Sequence, residues 1–264
     1  MDLGIEGRRA LLLASTRGLG FASALALARE GVFVCVSDSN GERAEEAAAK
    51  IRKESGGAAM GLPGDLSKPA NMETLVADAA EGLGGGIDIL LLNHSGPQLR
   101  SALEVTQDEL VALSSIMMKS MIRAAQLVVP GMGDREWGRV VLVGAPSVGE
   151  PIPHNVLSNL YRGGMANYCK TLAAEVIGKG VTVNIVSPSA VLTERTQSTA
   201  EQRGALRGVS AEEELAARES ALPAGRFGMP EEYGATVAFI CSDLAGYTTG
   251  TNIRVDGGAA KGFS

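Results

Sequence analysis

Two glycines that follow a short apolar run are the first residues whose type and spacing could do chemistry. Residues 10–14 read Ala-Leu-Leu-Leu-Ala, the kind of run buried on both faces of a parallel sheet. Ser15-Thr16-Arg17-Gly18-Leu19-Gly20 comes next, and residues 21–30 then take helical spacing and stop at Gly31. In a strand-turn-helix context, Gly18 and Gly20 let the backbone approach a pyrophosphate whose charge the helix N-terminus meets. A plain strand-to-helix turn is the alternative. A second apolar run, residues 32–37, ends at Asp38. A carboxylate there can accept both hydroxyls of an adenosine ribose and would repel a 2′-phosphate. No His/Cys/Asp/Glu group has metal-ligand spacing, so no metal is expected. Cys35, Cys169 and Cys241 sit in apolar contexts with no CxxC partner, and read as buried reduced thiols.

Those residues need a frame, and alternating strand and helix patterns supply one. Ser39-Asn40 caps a helix over about residues 42–54, and residues 58–63 form a third strand closed by Gly64-Asp65-Leu66-Ser67. Residues 72–82 are helical, with a glycine loop at 82 and 84–86. The strongly apolar strand 87–92 ends in Asn93-His94-Ser95-Gly96-Pro97. A long helix over about 107–129 should break at Pro130-Gly131. A strand at 139–143, a helix at 155–177 and a strand at 181–186 follow. Residues 193–220 are polar with little apolar periodicity, and are expected to form a mobile helical flap. A helix at 230–243 and a strand at 252–255 close the pattern. This order predicts an α/β chain: one domain over 1–264, a doubly wound parallel sheet (Rossmann fold) with helices on both faces. Its ligand should lie at the carboxyl ends of the strands.

The 264 residues are 45% hydrophobic and 20% charged, ordinary for one large domain with a full core. The formal charge of −6 carries no long single-sign run, which argues against nucleic-acid or anionic-membrane partners. The run at 10–14 is too short for a signal-peptide core and no run approaches a membrane span. A soluble, cytoplasmic protein is expected.

With these positions in place, the chain resembles the short-chain dehydrogenase/reductase family over nearly its whole length, in particular its 3-oxoacyl-carrier-protein-reductase-like subgroup. Residues 13–20 resemble the family's glycine motif, with Ala14 where its first glycine stands. Asp65-Leu66 matches the acidic position at the adenine, and Asn93-His94-Ser95-Gly96 the Asn-Asn-Ala-Gly stretch. Val183-Asn184 through Pro188 and Thr193 match the strand and turn at the nicotinamide amide. Arg226-Phe227-Gly228-Met229-Pro230-Glu231-Glu232 and Thr249-Gly250 through Asp256-Gly257-Gly258 match the C-terminal signature. The resemblance implies a nicotinamide cofactor held by Ser15, Arg17, Gly18, Leu19, Gly20, Asp38, Asp65, Leu66, Asn93, Ser95, Gly96, Arg162, Pro188 and Thr193. Asp38 favours NAD, while Arg17 stands where members that take NADP often carry a basic residue. A homotetramer or dimer is also implied, through the long helices and the last strand.

The family's proton chemistry uses an Asn, a Ser and a Tyr-x-x-x-Lys pair. By this resemblance the tyrosine falls on Ser158, the lysine on Arg162, the serine on Ala145 and the asparagine on Met117. All four are substituted. Ser158 and Arg162, four apart, share one helix face. Arg162 can hold ribose hydroxyls but not relay a proton, and Ser158 can hydrogen-bond a carbonyl but is a far weaker acid than a phenol. Ser147 could replace the missing serine, His154 is a loop histidine able to act as acid or base, and Tyr161 could edge into the pocket. His94 reads as a structural hydrogen-bonder to neighbouring backbone. Three functions follow as alternatives. One is an NAD(P)-dependent oxidoreductase on a small carbonyl or alcohol substrate, with a non-standard proton donor. The others are a non-redox enzyme (dehydratase, isomerase or lyase) and a catalytically inactive dinucleotide- or partner-binding homologue.

Overall fold

Seven short, mostly buried strands make one parallel sheet in the order β3-β2-β1-β4-β5-β6-β7. The computed structural model describes residues 1–262. In chain order the elements are β1 (Arg9–Leu12), α1 (Gly18–Arg29), β2 (Phe33–Asp38), α2 (Gly41–Ser55), β3 (Ala59–Pro63), α3 (Asn71–Gly82) and β4 (Ile89–Leu92). Then come α4 (Gln107–Ser114), a π-turn (Ser115–Lys119), α5 (Ser120–Asp134), β5 (Gly138–Val143), α6 (Val156–Val176) and β6 (Val181–Pro188). α7 (Glu194–Arg207), α8 (Ala211–Ser220), α9 (Pro230–Ile240) and β7 (Asn252–Val255) complete the chain.

Period-two alternation assigns the two faces of this sheet. Leu11, Leu90, Val140 and Leu142 point into a core with α3, α5 and α6, while Leu12, Leu91, Val141 and Val143 point into a second core with α1, α2 and α9. The expected doubly wound sheet is therefore present. Its order reverses between β1 and β4, so a crevice opens where their carboxyl ends diverge.

Three expectations are corrected. The first strand ends at Leu12, because Ala14 turns into the left-handed region (φ 46). The helix expected to break at Pro130 continues to Asp134. Val128, Val129 and Met132 are buried on both sides of the proline, and that packing offsets the lost backbone hydrogen bond. Contrary to the expectation that no run approaches a membrane span, Gln107–Asp134 is long and apolar enough to do so by length and composition. Its apolarity has a local cause, since Met117, Met121, Ala124 and Met132 are buried in the core shared with α3 and α6. The polar segment 193–220 forms two helices, α7 and α8, packed on each other. Each starts on a hydroxyl cap, Thr193 accepting from the Thr196 N–H and Ser210 from the Glu213 N–H.

Candidate active site

A cleft of about 660 Å³ lies at the carboxyl ends of β1, β4, β5 and β6, roofed by α7 and α8. Its first wall is the turn after β1. Ser15 lies fully buried beneath the turn, its hydroxyl donating to the Leu13 carbonyl (2.7 Å) and its N–H to the Ser37 carbonyl (3.0 Å). Gly18 has φ 56, and a Cβ there would enter the gap between the turn and Thr193, 3.9 Å from that side chain. A Cβ on Gly20 would clash with the Ser15 hydroxyl and stand 2.8 Å from Asn93 Nδ2. The two glycines thus keep an open cradle at the N-terminus of α1, and the geometry fits a dinucleotide pyrophosphate. Asn93 braces the turn by donating to the Ala14 carbonyl (2.9 Å).

Asp38 closes one end of the cleft. Its Oδ2 accepts from the Thr16 hydroxyl (2.8 Å), and its Oδ1 from the Asn40 N–H (2.9 Å) and the Arg43 guanidinium (2.6 Å). Burial pushes this carboxyl up, but the Asn40 N–H, the Arg43 guanidinium and Thr16 outweigh it, so it lies below the usual range. Arg17, Gly18, Leu19, Gly20, Ser95, Gly96, Pro188 and Thr193 line the same cleft. Asp65 and Leu66 do not. Asp65 closes its own turn by accepting from the Ser67 hydroxyl (2.7 Å) and N–H (2.9 Å), and Leu66 is buried in the core.

The candidate catalytic residues separate clearly. Ser158 is buried at the start of α6 and lines the cleft, 3.3 Å from the Ser147 hydroxyl. Ser147 stands behind it on a short 3₁₀ turn and has no face on the cleft. Arg162, one helical turn beyond Ser158, donates from Nη1 to the Val143 (2.6 Å) and Gly144 (2.8 Å) carbonyls, and its buried Nε has no partner. Burial pushes its pKa down to about 10, with the Arg195 charge adding to the shift, so it stays cationic at neutral pH. Tyr161 turns away, its hydroxyl donating to the Leu110 carbonyl (2.6 Å). His154 is exposed with φ 56, its Nδ1 3.0 Å from the Ser101 hydroxyl, and lies outside the cleft. No tyrosine lines the cleft among the described residues.

Two positions of the family's tetrad, and the neighbouring His94, explain themselves physically. Ala145 leaves the cleft wall without a hydroxyl, and Met117, on the π-turn, is fully buried and fills the core. His94 does line the cleft, and its Nδ1 lies 2.7 Å from the Ser95 carbonyl. Burial and the nearby Arg162 charge push it down to about 3, so it is neutral at physiological pH with its ring proton donated to that carbonyl. It therefore has no proton ready to give.

Sequence reasoning missed Arg195, Arg203 and Arg218, which line the cleft from α7 and α8. The signal was present as Arg195, Thr199 and Arg203, spaced by four along one helix face. Among the described residues, no group of three His, Cys, Asp or Glu side chains could hold a metal ion.

A family model described as enoyl-(acyl carrier protein) reductase matches residues 13–260. The 3-oxoacyl-[acyl-carrier-protein] reductase of Haemophilus influenzae is 30% identical over 256 residues, covering 96% of this chain and 98% of the relative. The D-beta-hydroxybutyrate dehydrogenase of Cupriavidus necator is 31% identical over 266 residues, covering 96% and 98% respectively. Among solved structures, the L-sorbose reductase of Gluconobacter frateurii in complex with NADPH and L-sorbose superposes with a TM-score of 0.92 at 27% identity, covering 99% of this chain and all of that one (100%).

Proposed function

The chain belongs to the short-chain dehydrogenase/reductase family of oxidoreductases, and from that premise we propose that it reduces a small carbonyl compound with a nicotinamide dinucleotide, using Ser158 in place of the family's tyrosine. The observation that carries this reading is the Ser158 hydroxyl, held 3.3 Å from Ser147 in the wall of the cleft that also contains the glycine turn and Asp38.

When bound, the dihydronicotinamide supplies the hydride, and the chain supplies position and electrostatics. Gly18, Gly20, Asn93 and Thr193 seat the dinucleotide, and Asp38 with Thr16 takes the ribose end. Asp38 supports NAD over NADP, since a 2′-phosphate would sit beside a carboxylate and have to draw Arg43 away from it. Either hydroxyl of the Ser147–Ser158 pair can donate; in the reading proposed here Ser147 is the donor, which leaves the Ser158 proton for the substrate oxygen. Arg162 and Arg195 add positive potential where negative charge grows on that oxygen. A serine hydroxyl is about as weak an acid as the product alcohol, so Ser158 shares its proton in a hydrogen bond without handing it over. The proton that completes the alcohol comes from solvent water, whose hydroxide returns to bulk solvent. Catalysis by position and charge without a matched acid should be slow for the family.

A second reading, a dinucleotide-binding homologue without turnover, is supported by the tie of Arg162 to two backbone carbonyls and by the burial of Tyr161 in the core, away from the cleft. The test is titration with NADH and NADPH followed by a screen of ketones and aldehydes for loss of absorbance at the dihydronicotinamide band. Turnover supports the reductase. Binding without turnover supports the second reading, and absence of nucleotide binding sinks both. Conversion of a screened compound without net oxidation would point to a non-redox enzyme on the same scaffold.

A further inference from the structure

The cleft runs past the glycine turn and Asp38 to a further wall that is cationic. Arg195, Thr199 and Arg203 form a stripe along the cleft side of α7, and Arg218 joins them from α8. Resting on the reductase reading above, we propose that this wall binds an oxyanion, so that the substrate is a carbonyl compound or alcohol bearing a carboxylate or phosphate group held by Arg203 and Arg218.

The carboxylates lining the cleft are Asp38 and Glu194, and each is committed: Asp38 to Arg43 at 2.6 Å and Glu194 to Arg17 at 3.0 Å. Glu214 lies one turn before Arg218 on α8, but its Oε2 is held by Arg207 at 2.8 Å. Among the described residues, Arg195, Arg203 and Arg218 form no salt bridge, and Arg203 and Arg218 make no side-chain hydrogen bond. Arg195 donates only to the Pro97 carbonyl, while its Nε faces Gly96, where a Cβ would come within 3.1 Å.

Burial lowers the pKa of Arg218, the neighbouring Arg203 charge lowers it further, and the Glu214 carboxylate offsets only part of that. Burial lowers that of Arg195 too. Cations drawn partly out of water and set against one another are unfavourable unless something anionic joins them. The chain as a whole carries −6, so this positive wall is local to the cleft and would draw an anion toward it.

Position decides which anion. The phosphates of a dinucleotide belong at the glycine turn, where Gly18 faces Thr193 at the start of α7. Arg203 lies about 12 Å further along α7 than Arg195, too far to serve that turn. Arg195 couples electrostatically to Arg162 and His94, which places it between the Ser158 end and the outer pair. A substrate whose carbonyl meets Ser158 would then reach Arg203 and Arg218 with an anionic group.

Binding of non-reacting probes tests this apart from turnover. The NADH-loaded protein is titrated by calorimetry with butyrate, butyramide and inorganic phosphate. At least one anion should bind with Kd below about 10 mM, and at least tenfold more tightly than butyramide. Tighter butyrate assigns a carboxylate, and tighter phosphate a phosphate monoester. The double variant Arg203→Gln, Arg218→Gln should lose at least tenfold in anion affinity and hold NADH within twofold. Equal binding of butyramide and both anions, or an unchanged double variant, overturns the proposal. If the variant does not fold, the amide comparison on the unaltered chain decides. If NADH does not bind, the titrations are run on the protein alone. Anion binding that depends on Arg203 and Arg218 would then sustain the oxyanion site while the reductase reading falls.

Discussion

Replacing Ser158 with alanine separates the proposed chemistry from mere packing. The substitution removes the one hydroxyl of the proposed pair that faces the cleft, and it leaves Ser147 Oγ buried without the partner it has at 3.3 Å. Loss of one donor aimed at a developing oxyanion costs about 3 kcal/mol, roughly a hundredfold in kcat. Loss of the Ser147 partner costs about 1 to 2 kcal/mol of stability, a few degrees in Tm for a chain of this size. Steady-state kinetics, NADH affinity and a thermal melt are then measured on the same samples. The expected pattern is a large fall in kcat, unchanged NADH affinity and a small fall in Tm. Ser158→Thr, which keeps the hydroxyl, should recover most of the rate. Ser147→Ala should lose about tenfold, because Ser147 only orients its neighbour. A Ser158→Ala variant within threefold of the original kcat would refute the assignment, and an equal loss of nucleotide binding would make the residue structural.

Three further perturbations reach other parts of the account. Ala14→Gly should raise Tm, because φ 46 costs an alanine about 1 kcal/mol that a glycine does not pay; no gain would place the turn's strain elsewhere. Asp38→Ala should free Arg43 and shift the NADPH-to-NADH affinity ratio toward NADPH by at least tenfold, read by paired fluorescence titrations. His94→Asn should flatten the acid side of the stability curve. The His94 pKa is about 3 in the fold, below the value of about 6.5 expected unfolded, so a falling pH protonates only the unfolded chain. Its stability contribution is complete above pH 6.5 and erodes toward pH 3, by about 2 kcal/mol at pH 5. Denaturant melts of both proteins at pH 7 and 5 would show whether that difference exists.

Much of this fold was legible because buried parallel strands write themselves as short apolar runs. Residues 10–14 and 87–92 found β1 and β4, and Gly18, Gly20 and Asp38, singled out in the sequence, lie together in one cleft. Pro130 misled because proline's local penalty is visible in sequence, whereas the burial of Met132 beyond it is a tertiary effect. The catalytic side was only half legible. A spacing of four correctly put Ser158 and Arg162 on one face, but Tyr161 lies a further 100° around the helix from Arg162, which carries its hydroxyl to Leu110. His154 looked available because it is a loop histidine, yet its left-handed backbone turns it to Ser101 and the surface. The arginines of α7 and α8 went unread because a helix roofing a polar cleft has no apolar stripe to announce its inward face.

The central claim is that this cleft transfers hydride to a carbonyl without the family's tyrosine, and isotope transfer tests it most directly. The protein is incubated with NADH carrying deuterium at one C4 face, together with a ketone that scores in the screen, and the product alcohol is examined by mass spectrometry and NMR. The account predicts deuterium on the carbinol carbon from a single C4 face, at a rate that falls about a hundredfold in Ser158→Ala. Bound nucleotide with no label in any product, or label transfer indifferent to Ser158, would contradict it.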